Sequence, residues 1–219
     1  ITSLPYTLRL SYLFYMLLEI KNLDCRRGHK LVVADVTFSL KSGECIILKG
    51  PNGSGKTTLL RHIAGLNSNN INNLSNDEIA FSGHLDGVKS TLTVNENLKF
   101  WAGVYNTDNI DNIIKILNLR DLENRMAGEL SAGQKRRLGL ARMLLTNAKI
   151  WLMDEPTVSL DEKTTKIISD IIVNHCDEGG AAIISTHVDL NLPKSTILDI
   201  NSFKPSVGKE IDPFLKGNF

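Results

Sequence analysis

The sequence is poor in the features that mark specialised protein classes. Its three cysteines, Cys25, Cys45 and Cys176, are widely spread and form no Cys-x-x-Cys pair. Neither a disulfide framework nor a zinc site is therefore indicated, and reduced thiols are expected. Lys and Arg number 25 against 24 Asp and Glu, a formal charge of +1, so the chain lacks the broad basic field of a general nucleic-acid binder. No apolar run is long enough to span a bilayer. The one that superficially resembles a leader, Leu10 to Leu18 after Arg9, falls short of the roughly 20 residues a crossing needs and has no small-residue cleavage site. Any membrane role is expected to be peripheral.

What remains is a 219-residue chain with 42% hydrophobic and 22% charged residues, the balance of one ordinary globular domain able to bury its own core. The chain begins on Ile1, and Met16 stands directly before the first strand-like pattern. Residues 1 to 15 are therefore expected to be an upstream extension and residues 16 to 219 a single domain.

Periodicity divides that domain. Leu17 to Leu23 and Leu31 to Leu40 alternate as strands, and Cys45 to Lys49 is a buried-strand run followed by a glycine-rich loop and a helix-like stretch, Thr57 to Ala64. Asn67 to Asn76 has the composition of an exposed connection, and Ile79 to Ser82 is a short strand. Thr93 and Glu96 make a capping box for a helix through Ala102, and Ile110, Ile113, Ile114 and Leu117 recur at helical spacing. The region from about 85 to 145 reads as a helical lobe. Ser131 and Gln134 form a second capping box, and Ile150 to Met153 is a buried strand ending in acids. Asp161 to Cys176 is helical, and Ala181 to Ser185 and Thr196 to Ile200 are further strands. Strand and helix alternate outside the lobe, which predicts an α/β fold around a mainly parallel sheet.

Gly50 to Thr57 reads GPNGSGKT, a glycine, four residues, then Gly-Lys-Thr between a strand and a helix. In the loop Gly50, Pro51, Asn52, Gly53, Ser54 and Gly55, the two glycines Gly53 and Gly55 let backbone N–H groups converge on phosphates at a helix N-terminus, Pro51 having none to give; Lys56 reaches the β and γ phosphates, and Thr57 offers a hydroxyl to Mg²⁺, with Thr58 beside it. Ile150 to Glu155, IWLMDE, ends a strand in two carboxylates: Asp154 would hold Mg²⁺ through water and Glu155 would polarise the attacking water. Alone, two acids after an apolar run are commonly just an exposed strand end; paired with the phosphate loop they point to nucleotide chemistry. The run Lys135, Arg136 and Arg137 reads mostly as a solvated helix face.

Leu130 to Gln134, LSAGQ, lies with its serine 23 residues before Asp154. As a bare capping box it is structural, but at this spacing it resembles the signature motif of ATP-binding cassette ATPases. That resemblance implies a P-loop NTPase fold of ABC type, with a small antiparallel β part beside the parallel core. It implies that Ser131, Ala132, Gly133 and Gln134 serve the ATP of a second copy in a homodimer, that Asp161 belongs to the D-loop, and that His187 after Ser185-Thr186 is the switch histidine on the γ-phosphate. His84 takes the position of the usual glutamine, and Arg27 that of the usual adenine-stacking aromatic. These departures, with LDCRRG (Leu23 to Gly28) and FSGHLDGVKSTLTVNENLKFW (Phe81 to Trp101), resemble the ATP-binding subunits of bacterial haem-exporter complexes of cytochrome c maturation. The likeness implies ATP and Mg²⁺ as cofactors, an integral membrane subunit as partner, and a peripheral position on the cytoplasmic face of the inner membrane. No direct haem binding is expected, because no Cys-x-x-Cys-His is present. The alternatives are the ATPase of another small exporter, a soluble ABC ATPase acting on nucleic acid or the ribosome, and a degenerate cassette that only binds nucleotide.

Overall fold

A computed structural model describes residues 15–67, 78–83 and 86–205. The expected extension up to residue 14, most of the Asn-rich connection and His84 lie outside the described residues.

Two sheets form. β1 (Met16–Arg27) and β2 (Lys30–Lys41) make an antiparallel pair. β3 (Cys45–Lys49), β4 (Ile79–Ser82), β5 (Ile150–Asp154), β6 (Ala181–Ser185) and β7 (Ser195–Asp199) make a parallel sheet in the order β4-β5-β6-β3-β7. The helices are α1 (Lys56–Ile63), α2 (Val94–Tyr105), α3 (Ile110–Ile116), α4 (Ala132–Leu144) and α5 (Glu162–Asp177). The expected strands and helices are all found, with ends displaced by up to four residues. The largest displacement is in β1, which runs on to Arg27 because its last residues pair with the start of β2 across a turn at Gly28.

The three central strands read as unbroken apolar runs because both their faces are covered. Cys45, Ile47, Trp151, Met153, Ala182 and Ile184 point into one cluster, shared with α2 through α5. Their neighbours Ile46, Leu48, Ile150, Leu152, Ala181 and Ile183 point into another, with β1, β2 and α1. The alternation is the two-residue period of a strand placed between two cores, and each fully buried Leu or Ile contributes about 1.5–3 kcal/mol.

α2 buries Val94, Leu98, Trp101 and Ala102 along one side, the i, i+4, i+7, i+8 stripe of an amphipathic helix. Its capping box is complete: Thr93 Oγ1 accepts from Glu96 N and Glu96 Oε2 accepts from Thr93 N. α4 begins the same way at Ser131 and Gln134.

Candidate active site

Strand order and register build the site. β3 and β5 flank β6, and Ser185 is level with both Leu48 and Asp154. The loop after β3 and the carboxylates ending β5 therefore emerge at the same edge of the sheet, the carboxyl ends where open α/β sheets bind ligands. A cavity of about 1480 Å³ opens there, lined among others by Asn52, Gly53, Gly55, Lys56, Thr57 and Thr58 together with Asp154 and Glu155.

The phosphate loop takes the form its glycines require. Gly55 caps α1 with φ +107, and a Cβ there would meet Val33 Cγ2 at 2.4 Å and Val32 Cγ1 at 2.9 Å. Only glycine fits both the dihedral and the approach of β2. Lys56 Nζ lies over the loop, donating to Gly50 O at 2.8 Å and Pro51 O at 3.1 Å.

Thr57 Oγ1 donates to Asp154 Oδ2 at 2.7 Å, closing the gap between the two motifs. Ser185 Oγ donates to Asp154 Oδ1 at 2.5 Å. Asp154 is 3% exposed and has two hydroxyl partners. Among the described residues no cationic side chain forms an ion pair with it. A hydroxyl and a buried carboxylate side by side are hard oxygen donors. They fit Mg²⁺, which is held by one or two protein oxygens plus substrate phosphates rather than by a dedicated protein cage.

Glu155 adopts φ +49. This left-handed backbone costs a side-chain-bearing residue roughly 1–2 kcal/mol. Its N–H donates to Ser185 O at 3.0 Å and to Ser185 Oγ at 3.1 Å, while its carbonyl accepts from Arg136 at 2.9 Å. His187 Nε2 stands 3.0 Å from Asn52 Oδ1 and 3.4 Å from Glu155 Oε1. Phosphate loop, carboxylate and histidine thus share one mouth.

Arg27 lines the same cavity. Arg26, Lys30, Arg61 and His62 line it as well, forming a basic collar that motif reading passed over. His62 accepts from Arg26 N at Nε2, 3.3 Å, and its Nδ1 donates to Thr58 O at 2.8 Å, fastening the end of β1 to α1.

The signature residues lie elsewhere. Ser131 and Ala132 are exposed at the start of α4, and none of residues 131–134 lines the phosphate-loop cavity. A Cβ on Gly133 would meet Ser159 O at 2.8 Å, so this stretch packs tightly on the loop leading to α5. Asp161 caps α5, accepting from Thr164 N at 2.7 Å, and hydrogen bonding from the Thr164 side chain, then from its backbone N–H, holds its carboxyl below the usual carboxylate range.

Arg136 corrects the expectation of a solvated basic face. It is 5% exposed and spends its guanidinium on backbone carbonyls and Asp86. Arg137 donates to Leu117 O and Asn118 O, and Lys135 to Gly128 O. Consecutive charges on a helix point about 100° apart, so a run in sequence is not a face in space. Ser185 is the other functional residue that sequence reading left without a role; its only signal was a polar residue closing an otherwise apolar strand.

A parallel sheet with a phosphate loop and a two-carboxylate strand end at one edge, flanked by a helical lobe whose last helix opens on LSAGQ, defines an ATP-hydrolysing cassette. The ABC transporter family model matches residues 33–158, and the chain belongs to that family as an ATP-binding subunit that hydrolyses ATP. Among its relatives, the cytochrome c biogenesis ATP-binding export protein CcmA of Paracoccus denitrificans is 48% identical over 192 residues, 87% of this chain and 91% of that protein. The protein of the same name from Rhodobacter capsulatus is 46% identical over 190 residues, 86% of this chain and 89% of that protein. The solved structure of an ABC transporter ATP-binding protein from Pyrococcus furiosus superposes with a TM-score of 0.71 at 28% identity, covering 85% of this chain and 98% of that one.

Proposed function

We propose that this chain is the ATP-hydrolysing subunit of a membrane transporter of cytochrome c biogenesis, in the haem-export branch of the family. The observation that carries the reading is the 2.7 Å contact between Thr57 in the first turn of α1 and Asp154 at the end of β5, which lets one Mg-nucleotide be held by both motifs. The likeness to the cytochrome c biogenesis export proteins over most of their length supports the branch.

In this reading the backbone N–H groups of Asn52 to Thr58 and the Lys56 ammonium bind the phosphates, while Thr57 and, through water, Asp154 hold Mg²⁺. The metal supplies charge neutralisation on the phosphate oxygens when bound. Glu155 orients and polarises the water, and His187, already steered by Asn52 and Glu155, donates a hydrogen bond to the γ-phosphate. Arg27 stacks its guanidinium plane against the base.

Ser131, Ala132, Gly133 and Gln134 open a helix N-terminus to an anion but stand apart from the cavity of their own chain. We assign them to the nucleotide of a second copy, with Asp161 near the shared boundary. Two copies would close on two ATP molecules and reopen on hydrolysis, a binding-energy cycle delivered to an integral membrane subunit. Among the described residues no helix is long and apolar enough to cross a membrane, so the pathway would belong to that partner. The ATPase would sit against it at the cytoplasmic face.

Two experiments test the reading. Glu155→Gln should bind ATP with affinity near wild type, lose turnover by about 100-fold or more, and accumulate as an ATP-bound dimer; ordinary hydrolysis in that variant removes Glu155 from its role. Expression in a Paracoccus strain lacking CcmA should restore covalent haem on c-type cytochromes. Stable co-purification with another transporter's membrane subunit, without such rescue, would overturn the branch and leave the ATPase assignment standing.

A further inference from the structure

Arg136 is a charged side chain placed where charge is expensive, and its partners say why. Nε donates to Pro156 O at 3.1 Å, Nη2 to Asp154 O at 3.0 Å and Glu155 O at 2.9 Å, and Nη1 to Gly83 O at 2.9 Å and Asp86 Oδ1 at 2.8 Å. Five N–H donors meet five acceptors, the full capacity of a guanidinium. Three successive acceptors are the carbonyls of the strand end that carries the catalytic carboxylate. The remaining two belong to the segment that follows β4.

The clamp is asymmetric in a useful way. Glu155 is held in its left-handed backbone from two sides, its N–H by Ser185 on the neighbouring strand and its carbonyl by Arg136 on α4. The Ser185 side is part of the rigid sheet; the Arg136 side belongs to a helix whose first residue follows Ser131 directly. The segment after β4 is pressed onto the same helix, since a Cβ on Gly139 would meet Asp86 Cβ at 2.6 Å.

We propose that Arg136 is a positioning residue for hydrolysis: by fixing the carbonyls of Asp154, Glu155 and Pro156 it sets the direction of the Glu155 carboxylate and makes that direction depend on where α4 stands. The inference rests on the role given to Glu155 under the proposed function. It assigns to α4, the helix read as touching the second copy's nucleotide, a physical link to the catalytic carboxylate of its own chain. A lysine cannot replace it fully, because a single ammonium cannot present five donors in a plane.

The test uses the full chain with the variants Arg136→Met and Arg136→Lys, and Glu155→Gln as control. Arg136→Met should lower kcat about 100-fold, the scale of a displaced catalytic group, while the Kd for a fluorescent ATP analogue stays within about threefold, because the phosphate loop is untouched. Arg136→Lys should recover part of the loss, to about tenfold below wild type. Amide hydrogen exchange of the nucleotide-free protein should rise at residues 155–158 and stay unchanged in α1. A kcat within about threefold of wild type in either variant overturns the proposal, and Arg136→Lys alone decides where Arg136→Met does not fold. Loss of affinity in step with kcat, or exchange rising throughout the chain, also overturns it in favour of a purely structural arginine. If Glu155→Gln itself hydrolyses ATP normally, the role of Glu155 fails first; if only the arginine variants are silent, the positioning role fails alone.

Discussion

Glu155 and Gly55 show how single residues store or avoid strain at this site. Glu155 keeps φ +49 under hydrogen bonds on both sides, so a carboxylate reaches the mouth of the cavity from a position most side chains avoid. Gly55 escapes the penalty by having no side chain. Gly55→Ala should destabilise the fold by roughly 2–5 kcal/mol, combining the positive φ with the collision against Val33. Gly53→Ala, whose φ is +79 but whose added Cβ meets nothing within 4 Å, should cost only about 1–2 kcal/mol. Denaturant melts of the two variants check the difference, and equal losses would mean that the approach of β2 does not constrain the loop. The motif residues were legible because their backbone demands appear as Gly at fixed offsets. Ser185 and Arg136 were not, since each acts through partners more than fifteen residues away.

Among the elements, α5 and β5 meet away from the catalytic edge in a ring stack. Trp151 and His175 lie 3.8 Å apart and nearly parallel, and His175 Nε2 stands 3.2 Å from Lys149 O. Burial of the imidazole lowers its pKa to about 4, only partly offset by the hydrogen bonds to the Lys149 and Ala181 backbone. The sign follows from linkage: the unfolded chain takes up this proton near pH 6.5 and the folded chain only near pH 4, so stability falls as pH drops between those values. The loss assigned to this group is on the order of 3 kcal/mol. Comparing wild type with His175→Gln from pH 7 to pH 4 should show a shallower decline in the variant, and parallel curves would exclude this histidine as the cause. Helix placement was readable from the capping boxes at Thr93 and Ser131, because a cap is a local hydrogen-bond rule. The pairing of Trp151 with His175 follows from packing of a helix on a strand and left no mark in the sequence.

For the whole molecule, the decisive fact is that the exposed start of α4 and the phosphate-loop cavity do not share lining residues. In the proposed cycle one copy carries two half-sites and a second copy completes them. In the Glu155→Gln background, Mg-ATP should convert a monomer to a dimer in size-exclusion chromatography with light scattering. Ser131→Arg should abolish that shift, since a cation at a helix N-terminus opposes both the dipole and the incoming phosphate. The lost cap itself should cost only about 1 kcal/mol of stability. A dimer forming equally in both proteins would detach the signature residues from the interface.

The amino-acid order determined the parts of this protein whose rules are short-range: which runs are strands, where helices begin, and which loop can wrap phosphates. The spacing of LSAGQ and IWLMDE was enough to identify the cassette by likeness. The tertiary structure alone decided which strand lies beside which, and therefore that Thr57 meets Asp154, that Ser185 supports both carboxylate residues, and that the middle member of a basic run turns inward to hold the carbonyls at the end of β5. Such contacts depend on sheet order and helix rotation, which come from the summed packing of two cores rather than from any local pattern.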